Sequence, residues 1–395
     1  MDLSDIVVIS GARTPMGRFG GALKDVAAYD LGAAAISASL QKGNLEGKNV
    51  DDVLLGSCRQ AGNGPNPSRT AAVRGGIPAS VPTITLNMAC PSGMRALAMA
   101  SQAIRLGEAG VVLVGGFDSM STIPYLLKDA RWQGFKMGNK VLLDGWSDSI
   151  DPLCNLGMGE TAENLVEKYH ISRSEQDEFA LSSQQKATRA QDEGWFEEEI
   201  TPVPLLQKGG DSLMFSKDET IRRGTTLEKL NKLRAAFKKD GTITAGNACQ
   251  MSDGAAALVA ASRSEATERG LNPLFSLLAY AQTAVDPKLM GEGPAVSIPL
   301  ALKNANMTLA DMDFIEVNEA FAAQVLANEK VLEWDRDKLN VHGGAIALGH
   351  PTGISGARIL LTLYHVMRIH DGETGIAAIC GGGGVSTAMI IRRES

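Results

Sequence analysis

The sequence predicts an α/β protein made of two similar βα halves with an inserted region between them. The first 120 residues alternate buried strands with helical stretches, which is typical of a layered βα unit. From about position 121 to 250 the chain is more charged and holds most of the tryptophans, and the alternating pattern then returns. We therefore expect an N-terminal half at 1–120, completed by about 251–272, an inserted loop domain at 121–250, and a C-terminal half at 273–395.

The elements of the first half follow from apolar runs and from helical spacing of apolar residues. Strands are expected at Ile6–Ser10, Asp52–Leu55, Val81–Met88 and Gly110–Gly115, and helices at Asp30–Gln41 and Pro91–Leu106.

The inserted region and the last third carry further helical and strand patterns. The pair Ser172 and Glu175 has the spacing of a capping box and predicts the start of a helix. Helices are expected at Glu160–His170, Ser172–Glu193, Ser297–Asn304, Ala320–Glu333 and Ser355–Arg368, and strands at Met312–Val317 and Gly375–Ile379.

A weak internal echo supports the two halves. The segments Asn49–Leu55 and Leu309–Ile315 both place acidic residues just before a buried strand. Such self-similarity indicates a duplicated unit.

Composition excludes several functional classes. The net charge of −7 provides no global basic field for nucleic acid or for an anionic membrane surface. No apolar run approaches the roughly 20 residues of a membrane helix, and no leader pattern is visible, so a cytoplasmic enzyme is expected. The five cysteines include no C-x-x-C pair, so neither a disulfide framework nor a zinc site follows.

Cys90 is the first candidate for chemistry. It lies where a predicted strand ends and a helix begins, and Pro91 suits the first helical position. The positive end of a helix dipole favours a thiolate, and backbone N–H groups there suit an oxyanion. A buried structural cysteine at a strand–helix joint is the alternative interpretation.

His350 is the second candidate. It is pressed between Gly349 and Pro351 in a segment rich in small residues, which is not a typical core position. A nucleophilic cysteine needs a base, and histidine is the usual one.

Two further segments contain polar or reactive groups after a strand. Cys380 precedes four consecutive glycines, which indicates a left-handed turn or a nest of N–H groups aimed at an anion. The Lys-Ser/Thr ending of a phosphate-binding P-loop is absent. Asn318 lies between a strand and a helix and is either a helix N-cap or a functional amide.

Together these segments resemble those of the thiolases, and the resemblance covers essentially the whole chain. Further matching segments are Ala12–Pro15, Met158–Asn164 and Thr244–Ala248. The resemblance implies a layered αβαβα arrangement with the inserted region over the active site. It also implies a dimeric or tetrameric acetyl-CoA C-acetyltransferase of fatty acid metabolism.

The resemblance further implies a ping-pong reaction on CoA thioesters, without a metal or a permanently bound cofactor. Cys90 would attack an acyl-CoA while His350 takes its proton, and the N–H groups of Cys90 and Gly382 would hold the acyl oxygen. Cys380 would exchange the α-proton of a second acetyl-CoA. His350 and a water positioned by Asn318 would hold the enolate oxygen.

The matching positions also suggest where CoA and the acyl group bind. Arg222 would lie near the nucleotide and Cys249 near the pantetheine. Met158, Met290 and Phe321 would line the acyl pocket of a short-chain enzyme.

Four positions depart from the family pattern. Pro91 replaces a more usual Ala, and His342 replaces a common Asn. Cys249 stands where a Ser commonly bonds the pantetheine, and a thiol is the weaker hydrogen-bonding group. Gly157 stands where short-chain enzymes often have His, which leaves the acyl-chain preference open.

Three other functions were weighed. One is a 3-ketoacyl-CoA thiolase of β-oxidation that prefers longer chains. Another is a related condensing enzyme, a hydroxymethylglutaryl-CoA synthase or a ketoacyl-carrier-protein synthase, but those do not use a second cysteine in the manner of Cys380. A non-catalytic acyl-CoA-binding relative would lack Cys90, His350 or Cys380, and all three are present.

Overall fold

The computed structural model of the chain describes residues 2–128, 130–206 and 210–394. Within those ranges, no helix has the length and apolar character needed to cross a bilayer. The strands are Ile6–Arg13 (β1), Gly17–Arg18 (β2), Asp52–Gly56 (β3), Thr83–Leu86 (β4), Val111–Ser119 (β5), Ile150–Asp151 (β6), Leu156–Gly157 (β7), Val203–Leu206 (β8), Ser212–Phe215 (β9), Ser252–Ser262 (β10), Phe275–Ala284 (β11), Phe314–Val317 (β12), Thr374–Cys380 (β13) and Val385–Arg393 (β14). The α-helices are Ala28–Lys42 (α1), Pro67–Arg74 (α2), Ser92–Leu106 (α3), Ala130–Gln133 (α4), Met158–Tyr169 (α5), Arg173–Asp192 (α6), Leu227–Asn231 (α7), Arg263–Glu268 (α8), Gly293–Ala305 (α9), Ala322–Leu332 (α10), Ala345–Leu348 (α11) and Ser355–Ile369 (α12).

Ten of the strands form one sheet in the order β12-β13-β14-β11-β1-β10-β5-β3-β4, with β2 beside β10. Strand β3 is parallel to β4 and β5, and β12 is parallel to β13. Strands β1 and β11 pair over only two positions, Val7 with Ser276 and Val8 with Phe275. This short junction divides the strands into two sheets. The N-sheet has the order β1-β10-β5-β3-β4, with β2 beside β10, and the C-sheet has the order β11-β14-β13-β12.

Helices α3 and α12 lie between the two sheets. They contact each other, and α12 contacts β5 and β10 of the N-sheet as well as β12 and β13 of the C-sheet. All residues from 355 to 367 of α12 are buried, as expected for a helix enclosed on all sides. Helix α1 packs on β1, β5 and β10, and α9 packs on β11 and β14. The layers follow the predicted αβαβα order, which confirms the fold class.

Two glycines set the distance between α3 and α12. A Cβ on Gly93 would lie 2.9 Å from the backbone N of Ala357, and one on Gly356 would lie 2.5 Å from the N of Met94. Real Cβ atoms essentially never come that close to another atom. Glycine at both positions therefore lets the N-terminal ends of the two helices meet.

The internal echo has a structural counterpart. The Asp51 carboxylate accepts hydrogen bonds from the N–H groups of Gly110 and Val111, where β5 begins. The Asp313 carboxylate accepts them from Glu373 and Thr374, where β13 begins. In each half, an acidic side chain before one strand anchors the start of its parallel neighbour.

The predicted elements are all present, with ends that differ by up to four residues. Ser172 is the N-cap of α6 and forms the predicted capping box with Glu175. The sequence pattern predicts no strand at β10, β11 or β14. β10 contains five alanines, which have little intrinsic preference for strands. It forms a strand because it pairs with both β1 and β5 and is buried along its whole length.

Arg13, at the end of β1, joins the N-sheet to the inserted region. Its side chain is completely buried, and its Nε donates to Glu199 at 2.6 Å. Its two terminal nitrogens donate to the carboxylate of Asp218 at 2.7 and 2.9 Å. Because all three groups have lost water, both carboxylates depend on the single guanidinium of Arg13 for their pairing.

We expect Arg13→Met to lower the free energy of unfolding by about 3–5 kcal/mol, because two buried carboxylates would lose their cation. Denaturant-induced unfolding measures the change. A matched control is Arg18→Met, which removes a cation that is 64% exposed and 3.7 Å from Glu219 and should cost less than about 1 kcal/mol. Equal unfolding midpoints for the two variants would contradict the assignment.

Candidate active site

Cys90 lies in a tight turn between β4 and α3. The preceding residue, Ala89, has a φ of +53°, a left-handed conformation that side chains other than glycine rarely adopt. The Ser92 hydroxyl stabilises this turn, because it accepts from the N–H of Met88 at 2.8 Å and donates to the carbonyl of Ala89 at 2.6 Å. The helix begins at Ser92, one residue later than predicted, and Pro91 occupies its N-cap position. The turn places the half-buried Cys90 thiol at the start of a buried helix.

His350 contacts this thiol directly. Its Nε2 lies 3.1 Å from the Sγ of Cys90, and its Nδ1 lies 2.6 Å from the hydroxyl of Ser355. The Ser355 hydroxyl donates its single proton to the carbonyl of Pro351, so it accepts from Nδ1–H. Nε2 therefore carries the lone pair that faces the thiol. The sequence segment included Ser355, but nothing in the pattern indicated this role.

Asp118, on β5, holds the turn that follows His350. Its carboxylate accepts from the N–H of Gly353 at 2.6 Å and from the hydroxyl of Thr352 at 2.9 Å. It also accepts from the N–H groups of Cys58 and Arg59 after β3. This completely buried residue was missed by the sequence analysis, because an acidic residue inside a strand has no local signature of such a role.

The glycine run after β13 packs against Cys90. A Cβ on Gly381 would lie 3.1 Å from the Cys90 nitrogen and 2.6 Å from Cδ of Pro91, so a side chain there would push the two segments apart. The N–H of Gly382 lies close enough to the Cys90 thiol to oppose the rise in its pKa. Gly383 and Gly384 have φ values of +81° and +82°, which fits the predicted left-handed turn.

The neighbouring N–H groups of the run have other acceptors. Gly383 donates to the Asp151 carboxylate at 2.7 Å, and Gly384 donates to the carbonyl of Gly381. The N–H of Gly381 donates to Val385. Gly382 is therefore the residue of this turn whose donor is directed at the nucleophile.

Burial controls the charge state of the reactive groups. Desolvation raises the pKa of Cys90 to about 12, and the nearby Cys380 and Cys249 add to the rise. Desolvation lowers the pKa of His350 to about 3, and the charges of Arg358 and Arg59 lower it further. At neutral pH the pair is accordingly a thiol facing a neutral imidazole.

Cys380 lies in an apolar cluster with the residues expected to line an acyl pocket. Met290 and Phe321 are buried members of this cluster, and Met158 packs against it. A Cβ on Gly382 would lie 3.4 Å from the Met158 sulfur, so the cluster reaches the turn that faces Cys90. Burial raises the pKa of Cys380 to about 12.

Asn318 is not a helix N-cap, since α10 begins at Ala322 with Phe321 as its N-cap. Its side chain is buried, and neither its amide nitrogen nor its oxygen has a partner among the residues described. The adjacent Glu319 has its carboxylate bonded by Ser183, Asn340 and the N–H of Ile346. Asn318 is thus available to bind water or substrate, and Glu319 is fully engaged in the fold.

The two residues assigned to CoA differ in their surroundings. Cys249 is close enough to Cys90 and Cys380 to affect the pKa of both. The Arg222 guanidinium donates to the carbonyl of Ala245, and its backbone N–H donates to the side-chain oxygen of Gln184. Arg222 and Gln184 line a surface cavity of about 350 Å³.

His342 and Gly157 have structural contacts. The His342 ring lies 3.0 Å from the His370 ring nitrogen and stacks on Trp195 with 4.7 Å between ring centres. Burial lowers its pKa to about 3. Gly157 is the N-cap of α5, and its N–H donates to Glu160.

The family description "Thiolase, N-terminal domain" matches residues 6–264, and "Thiolase, C-terminal domain" matches residues 271–393. The chain is 48% identical to a probable acetyl-CoA acyltransferase of Staphylococcus epidermidis, over 99% of both proteins. It is 45% identical to the acetyl-CoA acetyltransferase of Cupriavidus necator, over 99% of this chain and 100% of that protein.

Solved structures agree with these matches. The crystal structure of the Bacillus anthracis acetyl-CoA acetyltransferase is 44% identical and superposes with a TM-score of 0.96 over 98% of both chains. The human mitochondrial 3-ketoacyl-CoA thiolase in complex with CoA is 42% identical, with a TM-score of 0.94 over 99% of this chain and 98% of that one. The two matched domains, the relatives and the fold together show that the chain belongs to the thiolase family.

Proposed function

We propose that the chain is an acetyl-CoA C-acetyltransferase that interconverts two acetyl-CoA with acetoacetyl-CoA and CoA through an acyl-enzyme on Cys90. The observation that carries this proposal is the 3.1 Å contact between Cys90 and the unprotonated Nε2 of His350. The relatives and structural neighbours named as acetyl-CoA acetyltransferases support it.

In the cleavage direction, His350 takes the Cys90 proton as the sulfur attacks the 3-keto carbon. The N–H groups of Cys90 and Gly382 stabilise the negative oxygen that forms. The bond between C2 and C3 then breaks, its electron pair stays on C2, and the Cys380 thiol protonates that carbon. Acetyl-CoA leaves and the acyl group remains on Cys90.

The second half-reaction returns the enzyme to its starting state. The thiol of free CoA gives its proton to the Cys380 thiolate, and its sulfur attacks the acyl group. Cys90 departs as a thiolate and takes back the proton held by His350. The condensation is the same sequence in reverse, in which His350 and a water on Asn318 hold the enolate oxygen.

The electrostatics suit these steps. An α-proton of a thioester is very weakly acidic, so its removal needs a strong base. Burial raises the pKa of Cys380 to about 12, which makes its thiolate a strong base and keeps it protonated and ready to donate during cleavage. The apolar cluster of Met158, Met290 and Phe321 would exclude water from the acyl group.

We further propose that CoA lies along the inserted region, with Cys249 near the pantetheine and Arg222 near the nucleotide. The 121–250 region would then cover the active site between the two halves. CoA thioesters are the substrates, and no permanently bound cofactor is assigned.

The chain is also proposed to form a dimer or tetramer. Exposed apolar side chains in the inserted region, Trp132, Phe135 and Met137, support a contact surface there. The edge strand β4 adds the 48% exposed Ile84. The cytoplasmic location remains a prediction.

A second candidate function is a 3-ketoacyl-CoA thiolase with a preference for longer chains, which the likeness to the human enzyme of that name favours. We expect thiolysis to be fastest with acetoacetyl-CoA and slower as the chain lengthens. The test is kcat/KM across a 3-ketoacyl-CoA series with the purified protein. Equal or higher values for long chains would establish the second candidate instead.

The roles of the two cysteines can be separated. Cys90→Ala should transfer no label from acetyl-CoA to the protein, because the attacking sulfur is gone. Cys380→Ala should still become labelled but should not exchange the α-protons of bound acetyl-CoA with solvent. A labelled Cys90→Ala variant, or normal exchange in Cys380→Ala, would contradict the assigned roles.

The protonation state of Cys90 gives a pH prediction. Because its pKa is raised to about 12, its thiolate fraction should rise about tenfold for each pH unit between pH 7 and 10. We expect the rate of Cys90 alkylation by iodoacetamide, followed by mass spectrometry, to rise in the same way. A rate that is already constant below pH 8 would mean that Cys90 is a preformed thiolate paired with imidazolium.

A further inference from the structure

Six buried polar atoms on three residues, two at the end of β12 and one on α12, have no protein partner. They are the two carboxylate oxygens of Glu316, the amide nitrogen and oxygen of Asn318, and the two terminal nitrogens of Arg358. Each of the three residues is 1% exposed. None of these six atoms has a hydrogen-bond partner within the described part of the chain. Buried polar groups in proteins are almost always paired, either with protein or with ordered water.

Strand geometry places Glu316 and Asn318 on one face of β12 and its extension. Ile315 and Val317 pack into the apolar cluster that includes Ile298 of α9. Successive side chains of a strand point to opposite faces, so Glu316 and Asn318 point away from that cluster. The N–H of Asn318 donates to Ala378 and continues the strand pairing. The opposite face of β12 is the one that packs on α12.

Helix geometry places Ser355 and Arg358 on one face of α12, because residues three apart are neighbours on a helix. Ser355 holds the His350 ring at 2.6 Å. Glu316 therefore shares a face of the strand with Asn318, and Arg358 shares a face of the helix with Ser355, which holds His350. Because α12 contacts β12 and Arg358 acts on the pKa of Glu316, these two residues are neighbours on the elements that carry the two groups proposed to hold the enolate.

Glu316 and Arg358 carry a carboxyl group and a guanidinium group that are not directly bonded to each other. Burial raises the pKa of Glu316 to about 8, and the charge of Arg358 opposes this rise more than any other neighbour. A guanidinium and a carboxyl group that lose water on burial without bonding each other need hydrogen-bond partners of another kind. Ordered water is the partner that fits two donors, two acceptors and an amide at one place.

We propose that Glu316 and Arg358 are positioning residues that hold a short chain of ordered water ending on the Asn318 amide. The last water of this chain is the one that donates to the enolate oxygen. This inference rests on the proposed function and adds two residues to it. A water molecule that Glu316 and Arg358 already orient needs no reorganisation when the enolate forms. Fixed dipoles stabilise a developing charge in this way.

The test compares two steps in the same protein, the labelling of Cys90 by acetyl-CoA and the exchange of the α-protons of acetyl-CoA with D₂O. In Glu316→Gln and in Arg358→Met, we expect exchange to fall about 10- to 100-fold relative to labelling, because the water is displaced. Labelling depends on the Cys90 and Gly382 donors and should change much less. A ratio of exchange to labelling equal to that of the wild type in both variants would overturn the proposal.

The double variant Glu316→Gln/Arg358→Met separates positioning from stability. It removes both the carboxyl group and the guanidinium, so its unfolding midpoint should recover relative to Arg358→Met, in which the buried Glu316 carboxyl group has lost its neighbouring cation. If the pair served stability alone, the ratio of exchange to labelling would recover together with the unfolding midpoint, and that result would also overturn the proposal. We expect the ratio to remain low in the double variant.

Asp253→Asn is the matched control, because it replaces another buried carboxylate, one that is bonded by Ser119 and Ser121 on the N-sheet and not on the Asn318 face of β12. Its ratio of exchange to labelling should equal that of the wild type, and a ratio as low as that of Glu316→Gln would count against a specific role for Glu316. Failure of the wild type to label at all would instead contradict the proposed function.

Discussion

The close approach of α3 and α12 is the constraint on which the site depends. Gly93 and Gly356 let the N-terminal ends of these helices touch, because a Cβ on either would overlap the backbone of the other helix. Cys90 lies just before one of these ends and His350 just before the other. Their 3.1 Å contact is therefore a consequence of helix packing, and two residues separated by 260 positions in sequence become neighbours. The carboxylate of Asp118 then fixes the turn between His350 and α12.

The candidate site holds its titratable groups in a dry environment. Burial makes the thiolates of Cys90 and Cys380 costly and keeps His350 neutral, so no reactive group carries a permanent charge. Oriented N–H groups would then stabilise the charge that forms during reaction, and their electrostatic interaction with it is stronger where water is excluded. The apolar cluster around Cys380 contributes to that exclusion. The polar atoms of Glu316 and Arg358, which have no protein partner among the described residues, are buried on the strand and the helix next to Asn318 and Ser355.

The two halves share an arrangement of strands but carry different candidate site residues. Asp51 and Asp313 anchor corresponding strands in the same way, which indicates a duplicated unit. The N-terminal half contributes Cys90 on a strained turn, and the C-terminal half contributes His350, Asn318 and Cys380. The inserted region is joined to the N-sheet through the buried Arg13 cluster, so that Met158 is held against the reactive turn. A single site thus requires all three parts of the chain.

The sequence by itself determined the fold class, most of the helices, six strands of the main sheet, and the residue types capable of the chemistry. These depend on local features: the periodicity of apolar residues, the capping box at Ser172, and cysteine or histidine beside glycine and proline in turns. It did not reveal the long strand β10, whose alanines become a strand only when β1 and β5 pair with it. Nor could it show that Ser355 sets the tautomer of His350, that Asp118 holds its loop, or that Asn318 has no protein partner. Those properties belong to contacts between residues far apart in the chain, which no local pattern encodes, and only the packing of the two halves decides them.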